Sequence, residues 1–164
     1  MTLTGYRFMA TGVTEYAFYH NYDRVLRVVH TALLTVRIFY GRWYTVEVPE
    51  QVHAGSEVAV LDEHGQEKAW LLLLSDYRFA VSSDCCALTG RMIQRHLRKH
   101  ILYTALDDEE AATVEYRFNR AEQRTGYGEW VPQRYVATAN GELGLTEALA
   151  LAIPFLDIPG IEIG

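Results

Sequence analysis

The sequence predicts an α+β fold: an antiparallel sheet of about five or six strands with helices packed mainly on one face. Three observations carry that expectation. Leu34 to Val48 alternates apolar and polar residues about a Gly41-Arg42 turn. Residues 58–81 hold further short apolar runs separated by turn residues. From Ser82 onward apolar residues recur at helical spacing, with no proline between 85 and 105. The 164 residues are enough for one domain, read as sheet-rich over 1–81 and helix-rich over 82–164.

Taken in order, residues 3–10 alternate around Tyr6 and Phe8 and predict a first strand. Over 23–32, Val25, Leu26, Val29 and Leu33 recur at helical spacing, with Asn21 or Asp23 as N-cap, and predict a helix. The β-branched residues Val25, Val28, Val29 and Thr31 favour a strand as the competing reading. The segment 34–48 is a hairpin, and a two-residue type II′ turn at Gly41-Arg42 would pair Tyr40 with Trp43 and Phe39 with Tyr44. Val58 to Leu61 and Lys68 to Leu74 are strands joined by Asp62-Glu63-His64-Gly65, with Gly65 in the left-handed position. Tyr77 to Val81 gives one more strand.

Ser82, Ser83 and Asp84 offer caps for a helix over 85–105, whose apolar stripe is Cys86, Ile93, Leu97 and Ile101. Ala111, Val114, Phe118 and Ala121 continue the helical spacing over 107–125, with acidic residues at its start and Arg120 and Arg124 near its end. Val114, Tyr116 and Phe118 also alternate as a strand would. A strand near 134–139 and a short helix over 146–155, stopped by Pro154, complete the chain before an extended tail.

Composition limits the function classes. A net charge of -6 disfavours whole-surface attraction to nucleic acid or to an anionic membrane. The two cysteines, Cys85 and Cys86, are adjacent and do not bridge each other, which points to a reducing compartment, the cytoplasm. Residues 1–7 lack the basic and apolar regions of an export signal, and no apolar run is long enough to span a bilayer.

The strongest local departure from the acidic average is basic. Arg91, Arg95, Arg98 and Lys99 place four positive charges within nine residues, on one face of the expected helix. That face suits an acidic protein surface, with Tyr127 and Trp130 supplying apolar contact. Nucleic acid is a weaker partner for the same face. Cys85 and Cys86 lie at the expected helix start, where a thiol pKa is lowered; Cys85, nearer the cap, is the leading candidate nucleophile, with His20, His30 or His53 as base. His96 and His100, four residues apart, are the only pair with metal-ligand spacing, but basic neighbours oppose a cation there. Neither a cofactor nor a metal is expected, and no phosphate loop or dinucleotide fingerprint occurs. The reading is a non-enzymatic binding or regulatory protein acting through a protein interface, or through self-association, at the basic helix. A small-molecule pocket protein or a Cys85 enzyme is the alternative.

Overall fold

Side-chain alternation, which points successive residues to opposite faces of a strand, governs nearly the whole chain. A computed structural model describes residues 1–10, 12–51, 53–74, 78–84, 87–95, 98–105, 110–117, 134–139 and 143–156. Among them are twelve strands: β1 (Thr2–Ala10), β2 (Val13–His20), β3 (Asp23–Ala32), β4 (Thr35–Tyr40), β5 (Arg42–Glu47), β6 (Glu57–Leu61), β7 (Glu67–Leu73), β8 (Arg78–Ser83), β9 (Ala87–Arg95), β10 (Arg98–Ala105), β11 (Glu110–Arg117) and β12 (Arg134–Ala139). Each pairs antiparallel with its neighbours in sequence, and β1 pairs with β12, so the sheet closes into an up-and-down barrel. One helix, α1 (Leu145–Ala152), and a 3₁₀ turn, Ile153–Phe155, follow β12.

This overturns the α+β expectation. The sheet has twice the strands foreseen, and among the described residues no helix covers its outer face. Residues 23–32 form β3, because Leu26 and Val28 face inward while Val25, Arg27 and Val29 face out. Apolar residues on both faces imitate helical spacing, and the β-branched content decides for the strand. The expected helix over 85–105 is the hairpin β9–β10, in which Ile93 pairs with His100 and Ile101 with Met92. Its apparent stripe at four-residue steps runs across a chain reversal. Over 107–125, the described part is β11, so the alternation of Val114 and Tyr116 prevails over the helical periodicity.

The first-half elements stand where the sequence puts them, with one change of register. Phe39 pairs with Trp43 and Ile38 with Tyr44, one residue tighter than a two-residue loop gives, and Gly41 turns the chain at φ +71°. The Asp62–Gly65 loop is held by Asp62, whose Oδ1 accepts the backbone N–H of His64 and of Gln66, each at 2.9 Å. The bond from Gln66 most strongly lowers the Asp62 carboxyl below its ordinary value, burial opposes this, and the His64 N–H and Lys68 add to the lowering. Gly65 has φ +74°, as the loop requires.

The interior follows from the strand number. Strands about 4.8 Å apart and tilted by roughly 40° close, as a set of twelve, on a backbone radius of about 12 Å. Inward side chains fill about 5 Å of that radius, which leaves a bore roughly 14 Å across. Side chains alone fill an eight-stranded barrel but not this one. A helix is roughly 10–12 Å wide with its side chains, and α1 is inside. Thr146 and the run from Ala148 to Ala152 are buried, which covers every side of a helix at 100° per residue. Three small residues, Ala148, Ala150 and Ala152, let its backbone approach the wall. Polar ties from different strands fix it along its length: Tyr40 Oη donates to the Leu143 carbonyl, Ser83 Oγ lies 2.6 Å from Thr146 Oγ1, and His30 Nε2 lies 2.6 Å from the Phe155 carbonyl oxygen. The plug therefore enters at the end holding the Gly41 turn and points toward the end holding the β3–β4 turn.

Above the helix, Phe155 packs against Tyr16, Phe18 and Tyr135 at ring separations of 4.9, 5.1 and 4.8 Å. Phe18 has its space because its cross-strand neighbour is Gly5. A methyl group built on Gly5 would lie well inside van der Waals contact with the nearest carbon of the Phe18 ring. Gly5→Ala should therefore cost about 1–3 kcal/mol in urea unfolding. In a Phe18→Leu background the same change should cost less than about 0.5 kcal/mol. Equal costs in the two backgrounds would show that Gly5 is not kept small by Phe18.

Candidate functional site

The described part of the plug ends at Leu156, short of the top of the barrel. Above the Tyr16–Phe155 aromatic layer lies an open cavity of about 520 Å³, at the end carrying the β1–β2 and β3–β4 turns. Its walls come from inward positions of consecutive strands: Arg7 of β1, Thr14 and Tyr16 of β2, His30 of β3, Val36 of β4, and Val48 just beyond β5. Leu156, which follows the plug, lines it from inside the bore.

Local chain geometry shapes this mouth. Thr31 is an extra residue between paired positions His30–Val36 and Ala32–Thr35, a bulge that bends β3 beside His30. The turn that follows places Leu33 90% exposed and holds Leu34 at φ +67°. A leucine in that region costs of order 1–3 kcal/mol, and the conformation is pinned by the Val48 N–H donating to the Leu34 carbonyl at 2.7 Å. Met9, Val13 and Leu74 are also exposed and belong to the same end of the barrel.

The polar groups sit together on one side. The guanidinium carbon of Arg7 lies 5.9 Å from the centre of the Tyr16 ring, and Arg7 Nε is out of solvent. The Tyr16 and His30 rings meet edge to face at 6.0 Å. His30 is also bonded through Nε2 to the Phe155 carbonyl, so it ties the barrel wall to the plug.

The residues singled out from sequence lie elsewhere. Arg91 and Arg95 are on β9, and Arg98 and Lys99 on β10, so the basic helix face does not exist. Arg95 pairs with Arg98, Arg91 with Leu102 and Lys99 with Gln94. Cys85, Tyr127 and Trp130 fall outside the described residues, as does His96, while His100 is on a strand. The helical i, i+4 metal geometry is lost with the helix. Of the histidines offered as a base, His30 and His53 belong to the end of the barrel opposite the β8–β9 connection, and His20 lies 3.4 Å from the Thr2 carbonyl oxygen. Among the described residues, no three His, Cys, Asp or Glu side chains converge as a metal site.

Arg7 was missed because Tyr6 and Phe8 look like the core face of β1. The pairing reverses this: Gly5 faces Phe18 and Arg7 faces Tyr16 on the inside, while Tyr6 and Phe8 are outside. The available signal was the charged residue in phase with Leu3 and Gly5. Compared with protein-family models, with curated proteins and with solved structures, the chain matches none.

Proposed function

We propose that this is a non-enzymatic binding protein that takes a small, largely apolar molecule into the mouth of its barrel. The observation that carries the reading is the cavity of about 520 Å³ left above the plug. That volume lies within the roughly 300–1,000 Å³ range of small-molecule sites, and its lining combines polar side chains (Arg7, Thr14, Tyr16, His30) with apolar ones (Leu34, Val36, Val48, Leu156) in about equal measure. The exposed Leu33 and the strained Leu34 at the rim support it, since strain and apolar exposure collect where a chain meets a ligand. His30 braces the plug, a positioning role that fits binding better than proton transfer.

The outer wall supports a water-filled compartment, and the cytoplasm is the location proposed. Arg27 pairs with Glu15 in mid-strand, and Arg27 and Arg37 lie over the Trp43 ring at 5.1 and 4.4 Å. An arginine on a lipid-facing wall would cost about 2–4 kcal/mol at the midplane. Among the described residues, no helix is long and apolar enough to cross a membrane.

A protein partner at β9–β10 is the second reading, favoured by the direct pairing of Arg95 with Arg98. Like charges opposite each other destabilise a sheet, so a contact with an acidic surface would offset them.

Each reading has its own test. The neutral fluorophore 1-aminoanthracene should bind the native protein with enhanced, blue-shifted emission. A cavity-filling Val48→Trp or Ala32→Phe variant with unchanged circular dichroism should bind it at least about tenfold more weakly. No uptake by native protein, or equal uptake by a folded, filled variant, would remove the mouth as the site. For the second reading, Arg95→Glu should raise stability by about 0.2–1 kcal/mol and abolish retention on immobilised oligoglutamate. Unchanged retention would exclude that face.

A further inference from the structure

We infer that the turn joining β3 to β4, residues 31–34, is a lid that closes Leu33 over the molecule held in the mouth. This rests on the pocket reading above and adds to it a binding residue and a movement. Several observations fall together on this short stretch. Thr31, Ala32, Leu33 and Leu34 all line the cavity. Thr31 is the extra residue of the bulge, so beyond the His30–Val36 pair the tip of the hairpin is held by the Ala32–Thr35 pair alone. Leu33, at the tip, is 90% exposed. Leu34 follows it at φ +67°, the conformation for which a turn ordinarily uses glycine or asparagine.

A leucine so exposed adds nothing to the packing of the barrel, and a left-handed leucine is strained. Strain of this kind persists where its surroundings hold it, and it collects at ligand clamps and switch segments. Here the holding contact is the bond from the Val48 N–H to the Leu34 carbonyl. The strain and the net worth of one such bond are of the same order. The open turn is therefore balanced, and a modest difference in contacts between two positions decides which one is populated. The bulge bends β3 just before the tip and supplies a pivot. When the tip swings inward and Leu34 leaves the left-handed region, the Leu33 side chain comes to lie on an apolar molecule in the cavity. With no molecule beneath it, an inward Leu33 has nothing to pack against, and the turn rests open. Closure thus follows binding, removes Leu33 from water and slows release.

Fluorescence titration with 1-aminoanthracene separates closure from the pocket beneath it. Leu33→Ser, with unchanged circular dichroism, should bind the probe at least about tenfold more weakly than the native protein, because no leucine then leaves water on binding. Leu34→Gly and Leu34→Ala both remove the Leu34 side chain from the cavity wall, but only Leu34→Gly relieves the strain of the open turn. Leu34→Gly should therefore favour the open position and bind the probe at least about fivefold more weakly than Leu34→Ala. Equal affinities of these two variants would overturn closure and leave the pocket with a fixed rim. A loss of less than about twofold in Leu33→Ser would do the same. No binding of the probe by the native protein would overturn the lid and the pocket together. If a Leu34 variant does not fold, Leu33→Ser, at a position exposed to solvent, decides alone.

Discussion

Everything in this structure depends on the fit of one helix into a bore. Closing twelve strands by the pairing of β1 with β12 removes every sheet edge, but it leaves a channel too wide for wall side chains to fill. An unfilled channel would strip the inward leucines, valines and aromatics of their contacts and their burial. The segment from Leu143 to Leu156 supplies what is missing. Its buried leucine, isoleucine and phenylalanine side chains each contribute roughly 1.5–3 kcal/mol by leaving water, and its alanines keep the helix narrow. The barrel and its plug are then mutually dependent. A helix apolar on every side has no stable place outside the bore, and the bore has no stable dry state without the helix.

The same length matching produces the site. Among the described residues, the plug rises as far as the layer made by Phe155 with Tyr16, Phe18 and Tyr135, with Leu156 above it. The cavity is the part of the bore that the described residues leave open. Its chemistry is set by which inward positions reach that height: Arg7 and His30 on one side, Val36 and Val48 on the other. The bulge at Thr31 and the left-handed Leu34 shape the rim at that point. The cavity and the seating of the plug therefore share parts, since His30 is at once a wall of the cavity and a tie to the plug.

How much of this was legible depends on whether a strand has one apolar face or two. The hairpin from Leu34 to Val48 and the Asp62–Gly65 loop could be read, because alternation and turn residues agree there. β3 could not, since Val25 and Val29 on the outer face join Leu26 and Val28 on the inner one and imitate a helix. Nor could the β9–β10 hairpin, whose Ile93 and Ile101 are eight residues apart but lie on opposite sides of a reversal. The helix over 146–155 was read nearly to its limits, yet its alanine and leucine content says only that it is buried. Its place inside a barrel follows from the count of strands, a global quantity that no local window contains. The site was hidden for a related reason. The aromatic Tyr6 and Phe8 mark the wrong face of β1, and the loud basic cluster of Arg91, Arg95, Arg98 and Lys99 drew the reading away from a single inward arginine.

The central claim, that α1 is a structural plug enclosed by the barrel, is tested most directly by residue-resolved amide hydrogen exchange. If it holds, the amides of Leu149, Ala150, Leu151 and Ala152 exchange only through global unfolding. Their opening free energies then equal those of the most protected wall residues, such as Val28 and Val46, and fall with denaturant along the same slope. Exchange of these four amides within minutes at neutral pH, while Val28 and Val46 stay protected, would contradict it and leave the barrel to be explained without its core.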